Sequence, residues 1–513
     1  MRITNKIMQR NNLNNININK IYQDKLSTQM STEKKINRVS EDPVVAIRAL
    51  RLRSNVTEVT QYYTKNIPDA NSWLEVTESA IRCQSEVITK MIEQCTKGAN
   101  GDLTSADRKI ILEQLRALSD EVYSTANADY AGRYVFTGYR TDTPVSFQTA
   151  TEREYTITEQ ISPDDLDTVT HVNSAGVTDL TAANYMDAAN QGILEDQVSA
   201  VDVYRFRLAY DQCSEDTMPS IQYQEWNAAS GEYEWKTLDT TAMMHSYEDP
   251  YTAAANDPDA VIYVPETGEL LLGKNNYDKL MAVKDDVTTS ANEGEIRVTY
   301  QKSSWKDGDL RPEHYFYCEA DGIKYNEDYL DGTKARQDIE YDVGFNQTIR
   351  VNSTADECFK HGIGRTADDL LASLEEVTEL EKVKETLEAA LKTAEEGSAE
   401  QTTLRNQIQA VDKALTLAKD KSQKLFEHGI STFQGYLDDV TLSITNCGNR
   451  SKKLELIENR MQDQKTTFEI LKSNNEDADM AEVAIQLTSA ELTYEAALMA
   501  VGKVSQNSLL NYI

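Results

Sequence analysis

Apolar positions near the C-terminus recur at alternating steps of three and four: Met480, Val483, Leu487, Ala490, Tyr494, Ala497, Val501 and Val504. That spacing keeps one stripe facing a partner helix and predicts a coiled-coil seam. A matching seam runs through Tyr63, Ile67, Ala70, Leu74, Thr77, Ile81, Gln84, Ile88, Met91 and Cys95. Pro68 lies inside it and predicts a kink or short break, because proline removes an amide donor. Upstream, Ile18, Ile21, Tyr22 and Leu26 give an apolar face, diluted by six asparagines between Asn11 and Asn19. A segment so weak in helix propensity should fold mainly when packed against something.

Punctuation between these seams is legible. Ser40 or Asp42 can cap a helix that opens at Pro43, since proline suits a first turn whose amides are unpaired anyway. Gly98-Ala99-Asn100-Gly101 reads as a turn, after which Thr104 or Ser105 caps a helix with the stripe Ile111, Leu115, Leu118, Val122 and Thr125. The two helices joined by this turn are expected to form an antiparallel hairpin.

From Tyr134 to about residue 360 the pattern changes to short β-prone runs. Arg153 to Ile157, Val261 to Val264, Glu295 to Tyr300, Tyr315 to Cys318 and Thr348 to Val351 are examples. Pro265-Glu266-Thr267-Gly268-Glu269 predicts a turn between Val261–Val264 and Leu270–Leu272. An α-prone stretch near Ala182 to Gln191 interrupts the strands. Helical pattern then returns: Leu370 to Ala394 as one helix, loosened at Glu395-Glu396-Gly397-Ser398. A further seam runs through Leu404, Ile408, Val411, Leu415, Ala418 and Leu425 to His428-Gly429, and restarts at Phe433 towards Phe468. Residues 370–425 read as a helical hairpin or elongated arm with a solvated charged face.

The fold class is therefore α+β multidomain. Both termini form a long coiled-coil-like helical bundle, and a β-rich domain is inserted in the middle. The expected parts are a terminal coiled-coil assembly domain at 1–42 and 470–513, and a helical bundle at 43–140 and 430–469. A β-rich insert occupies 141–364, and a charged helical arm 365–429.

Composition narrows the function classes. Among 513 residues, 85 acidic against 52 basic ones give a net charge of −33, which disfavours nucleic acid and anionic membrane surfaces as partners. Mean hydropathy is −0.57, and no apolar run approaches the roughly 20 residues that span a bilayer. The first nineteen residues lack the apolar core and cleavage site of a secretory signal. Cys83, Cys95, Cys213, Cys318, Cys358 and Cys447 are scattered. The first two lie about 18 Å apart along one predicted helix, beyond the roughly 7 Å between Cα atoms that a bridge allows. No disulfide framework is implied.

No phosphate loop, zinc-protease helix or nucleophile elbow is present. His171, His245, His314, His361 and His428 are isolated, and the pairs Asp164-Asp165, Asp285-Asp286 and Asp438-Asp439 lack a calcium-loop spacing. Ordinary surface and packing roles account for them, and no catalytic residue, metal or cofactor is expected.

Several stretches resemble the flagellin and hook-associated protein family. Met1-Arg2-Ile3-Thr4-Asn5 is similar to the opening of hook-associated members. Leu26-Ser27-Thr28-Gln29-Met30-Ser31-Thr32, leading into Ile36-Asn37-Arg38-Val39-Ser40-Glu41-Asp42-Pro43, resembles the shared N-terminal signature. Glu41 departs from its usual Ser-Asp-Asp-Pro ending, and Glu33 stands where glycine is frequent. Gly132-Arg133-Tyr134-Val135-Phe136-Thr137-Gly138-Tyr139 resembles a motif of hook–filament junction members. Asn475-Glu476-Asp477-Ala478-Asp479-Met480-Ala481 opens a stretch similar to the family's C-terminal helix. The resemblance covers roughly 1–145 and 430–513 and does not reach the insert or the acidic helices.

It implies a structural subunit, not an enzyme, exported without a cleaved signal peptide to the extracellular flagellum. The implied partners are further copies in a ring, hook-associated protein 1, flagellin and a flagellar export chaperone. The expected assembly residues are Ile18, Ile21 and Leu26, facing Leu487, Tyr494, Leu498 and Val501. Flagellin itself, or a surface adhesin or binding module carried by the insert, are the alternative readings.

Overall fold

Helical and strand periodicities separate along the chain into the elements they predict. The structure, a computed structural model, describes residues 5–101, 103–227, 232–283, 296–331 and 337–506. The opening residues 1–4, Asp285-Asp286, Glu295 and the side chain of Val504 lie outside the described residues. The helices are α1 Asn5–Thr32, α2 Pro43–Gln61, α3 Ile67–Gly98, α4 Ser105–Val122, α5 Pro250–Asn256, α6 Lys274–Met281, α7 Ala355–Cys358, α8 His361–Thr393, α9 Ala399–Glu476 and α10 Met480–Gln506. Two compact units emerge, one of residues 1–70, 341–349 and 452–513, the other of 71–340 and 350–451.

Helix starts follow the caps. The Asp42 carboxylate accepts from the amides of Val44 and Val45 at 3.0 and 3.1 Å, with Pro43 in the first turn. Thr104 and Asp107 form a reciprocal capping box at α4. The break expected at Pro68 is instead a π-helical turn over Tyr62–Asn66, in which the Ile67 amide reaches back to the Tyr62 carbonyl. Pro68 then falls in the first turn of α3, where a missing amide matters least.

In the second unit α4 lies along α8. Arg108–Glu381 and Arg116–Glu375 ion pairs run along that contact. The interruption expected at His428-Gly429 does not occur, since α9 runs unbroken for 78 residues. Gly429 does not terminate the helix, and a Cβ there would make ordinary contacts, 3.5 Å from Cys95 Sγ and from Leu370.

The hairpin over 370–425 is present, and its face is not simply solvated. Val377, Leu380, Val383 and Leu387 of α8 pack against Leu404, Val411, Ala414 and Ala418 of α9, and Val177, Leu180, Ile193 and Val198 close over them. The α-prone stretch at 182–191 forms consecutive turns, not a helix. Its asparagines explain this. Asn184 accepts from the Thr181 amide at 2.6 Å and donates to the Asp179 carbonyl at 2.8 Å, while Asn190 donates to the Asn184 carbonyl at 2.9 Å. Such bonds offer the backbone an alternative to the helical ladder.

The strands are β1 Asp129–Tyr130, β2 Arg133–Tyr134, β3 Thr151–Ile161, β4 Asp167–Asn173, β5 Ser199–Arg207, β6 Ser220–Asn227, β7 Glu232–Leu238, β8 Ala242–Met243, β9 Val261–Val264, β10 Glu269–Leu272, β11 Ile296–Trp305, β12 Tyr317–Ala320, β13 Ile323–Tyr325, β14 Glu340–Gly344 and β15 Gln347–Arg350. One sheet has the order β4-β5-β10-β9-β8, another β13-β12-β3-β11-β6-β7. The predicted β9–β10 hairpin pairs Val264 with Glu269 and Val261 with Leu272. Strand alternation explains its continuous apolar run. Val261, Tyr263, Leu270 and Leu272 enter the core shared with the larger sheet, whereas Ile262, Val264 and Leu271 pack with Ala254 of α5.

Buried charge is paired. Arg205 reaches Asp167 at 2.6 Å, Glu269 at 2.6 Å and Asp369 of α8 at 3.0 Å. Glu159 of β3 is buried and accepts from the Ala209 amide at 3.0 Å and from the Tyr300 hydroxyl. Burial pushes its carboxyl up to about 7, although those hydrogen bonds favour the charged form. Burial likewise pushes the Cys95, Cys213 and Cys358 thiols up to about 12. All six cysteines are free, and Cys83 alone is not buried.

Candidate assembly interface

In the first unit the helices α1 and α10 lie side by side. Strand-like bonds tie the residues after α1 to those before α10: the Lys35 amide donates to the Glu476 carbonyl at 2.8 Å, and the Ala478 amide to the Glu33 carbonyl at 2.9 Å. Arg53 grips the Glu476 carboxylate through Nε and Nη2, both at 2.7 Å. The hydrogen bond from Arg53 holds that carboxyl below its usual range. Lys34 Nζ meets Asp477 Oδ1 at 2.5 Å. From this clasp α1 and α10 run antiparallel, with the Tyr22 hydroxyl donating to Gln486 at 3.2 Å.

From Val483 on, the α10 side of the seam follows the sequence period: Val483 and Ala490 are buried, and Leu487, Tyr494, Ala497 and Val501 are half-buried, whereas Met480 at its start is exposed. The α1 side does not. Its less exposed positions are Asn12, Ile16, Asn19, Gln23 and Leu26, again in steps of four and three. Ile18 and Ile21 fall outside this face and are 62% and 70% exposed. Leu26, only 2% exposed, clusters with Val483 and Ala490, against which Leu487 packs. Of the expected residues, Leu26 and Leu487 are therefore brought together. Tyr494 and Val501 line the same face of α10, and Leu498 is exposed. The positions that sequence reasoning missed are the polar ones, Asn12, Asn19 and Gln23, whose four-and-three spacing was the available signal.

Packing along this pair is loose. An open groove of about 330 Å³ lies among Asn19, Tyr22, Ile485, Gln486, Ser489, Ala490 and Thr493. Apolar side chains on the outer faces stay uncovered, including Ile7, Leu13, Ile485, Leu492 and Met499. Burying one leucine contributes about 2 kcal/mol, whereas ordering each helical residue costs about 1–2 kcal/mol of backbone entropy. Within this chain, Leu26 is the sole buried apolar side chain among the described positions of α1.

Residues 3–141 match the bacterial flagellin N-terminal helical region. The N-terminal region is flagellin-like. Curated flagellar proteins are also similar to the chain. The chain is 30% identical over 143 residues to flagellar hook-associated protein 3 of Salmonella typhimurium, covering 28% of this chain and 45% of that protein. It is 25% identical over 127 residues to flagellin of Clostridium tyrobutyricum, covering 25% of this chain and 33% of the relative. This chain thus spans under half the length of the curated relatives it matches. Among solved structures, hook-associated protein 3 of Legionella pneumophila aligns at 12% identity with a TM-score of 0.29, covering 82% of this chain and 98% of that one. So loose a superposition carries no argument.

The flagellin-like region ends at the Gly132–Tyr139 motif, which is a packing hub in the second unit. Phe136 is buried edge-on to Phe359 at 4.9 Å, and Arg133 lies 5.0 Å over the Trp73 ring. Gly138 has φ +60, and a Cβ there would come within 2.4 Å of Gln337. Burial lowers the His314 and His361 imidazoles to about 4 and about 3. Among the described residues no group of three or more His, Cys, Asp or Glu could hold a metal ion, and no helix is long and apolar enough to cross a membrane.

Proposed function

We propose that this chain is a structural subunit of the bacterial flagellum that forms the hook–filament junction. One observation carries the reading: a flagellin-like N-terminal helix pairs with the C-terminal helix through a weak inner seam and leaves apolar outer faces uncovered. The resemblance of the N-terminal region to hook-associated protein 3 supports the junction role over other flagellar roles. In this reading the subunits self-assemble in a ring, with hook-associated protein 1 on one side and flagellin on the other. A flagellar export chaperone covers the termini before export through the flagellar secretion system, without a cleaved signal peptide, to the cell exterior.

The mechanism is coupled folding and assembly. Each terminal helix is too poorly buried in one subunit to offset its ordering entropy, and neighbouring copies supply the missing contact. Ile18, Ile21 and Leu498 cover outer faces there, while Leu26, Leu487, Tyr494 and Val501 close the inner seam. Deletion of the gene followed by microscopy tests the role. Hooks without filaments and unpolymerised flagellin in the medium are expected, and normal filaments would overturn it. Removal of residues 1–30 and 480–513 should abolish incorporation onto hooks.

The similarity to a flagellin favours one second reading, a filament subunit. Copy number per flagellum separates the two, since a junction subunit is sparse and a filament subunit abundant.

A further inference from the structure

Lys302 of β11 is 0% exposed. An ammonium group taken so far from water needs close partners. Its Nζ lies 2.5 Å from the Asp211 carbonyl oxygen, 3.4 Å from Asp211 Oδ1 and 3.7 Å from Asp309 Oδ2. The rings of Trp305 and Tyr210 lie 5.2 and 5.9 Å from the same nitrogen. The register of β11 shifts between Lys302 and Ser304, a bulge of the kind that re-aims a side chain.

The two carboxyl groups are unlike. Asp309 is fixed in a turn, its Oδ2 accepting from the Lys306 amide at 2.9 Å and its carbonyl from the Phe147 amide at 2.8 Å. Burial raises its carboxyl above the usual range, with Lys302 opposing in part. Burial also acts on Asp211, but the Lys302 and Lys306 ammoniums outweigh it and hold that carboxyl low. Asp309 therefore takes up a proton more readily than an ordinary aspartate and Asp211 less readily, both beside a buried amine.

We propose that Lys302 and Asp309 condense into an intramolecular isopeptide bond, with Asp211 as the base. The Asp211 carboxylate takes a proton from the Lys302 ammonium. The freed lone pair attacks Cγ of the protonated Asp309 carboxyl, forming the C–N bond. Asp211 then relays a proton from that nitrogen to the departing hydroxyl, the C–O bond breaks, and one water leaves. Asp211 ends with the former ammonium proton, so charge and atoms balance with no oxidant or co-reactant. The water has an exit, because Asp211, Asp309 and Lys306 line an open cavity of about 670 Å³. The product replaces a buried ion cluster with a neutral amide and ties β11 to the turn that holds Phe147.

Intact mass spectrometry of the full, denatured chain tests this. The expected mass is one water below that of the sequence, with a branched peptide joining Lys302 to Asp309. The full sequence mass would overturn the proposal, and a branch to Asp211 would overturn the assignment of the acyl group. Asp307-Gly308 can also lose water as a succinimide, which mild alkali reopens. A water loss that alkali reverses therefore counts against the isopeptide. Asp211→Asn should restore the full mass while circular dichroism shows the chain still folded. A folded variant still lacking the water would refute the base role.

Discussion

Glu159→Gln should make this protein more stable at neutral pH and change it little in mild acid. In the wild type the folded carboxyl titrates at about 7 against an ordinary 4.5. Below about pH 4.5 it is protonated in both folded and unfolded chains and costs nothing. As pH rises towards 7 the unfolded chain releases its proton first, so stability falls, and above 7 the whole penalty is expressed. Two to three pKa units correspond to about 3 kcal/mol. Glutamine keeps an acceptor for the Ala209 amide and carries no charge. Urea midpoints for both proteins at pH 5 and pH 8, followed by tryptophan fluorescence, isolate the effect, because Trp305 shares the sheet core with Tyr300. The wild type should lose more between the two pH values than the variant does, by about 2–3 kcal/mol. Equal losses would refute the reasoning.

Three further outcomes follow from the geometry. Glu33 adopts φ +59, so Glu33→Gly should stabilise the first unit by about 0.5–1 kcal/mol after glycine's own entropy is counted, read from thermal melting. Gly138→Ala should destabilise by about 1–3 kcal/mol in chemical denaturation, since the new Cβ meets Gln337 at a left-handed position. Arg205→Met leaves the buried Glu269 without its ion-pair partner and Asp369 with Arg207 alone and should lower the urea midpoint by the equivalent of about 3–5 kcal/mol.

The sequence was most readable where one local rule decided the structure. Asp42 and Thr104 cap as their chemistry dictates, and Pro265–Glu269 turns between two apolar runs. The C-terminal seam keeps its period because Val483, Leu487 and Ala490 have no local competitor. Residues 182–191 form turns instead of a helix because helix propensity ignores what Asn184 and Asn190 offer the backbone. Gly429 resembles a stop, yet α9 runs through it, because one glycine cannot end a helix whose flanking turns are packed on both sides. The inner face of α1 differs from the one its isoleucines suggest, because Ile18 and Ile21 outweigh asparagines on any hydrophobic scale, while the inner seam takes Asn12, Ile16, Asn19 and Gln23. The Arg205 network was illegible, since its carboxylates come from β4, β10 and α8.

The thiol inventory has a practical consequence. Five cysteines are sealed in the interior, where burial disfavours the reactive thiolate, and Cys83 on α3 retains partial access to solvent. The unmodified protein thus carries a ready one-site attachment point for a maleimide dye. Individual molecules could be followed by fluorescence without any engineered residue.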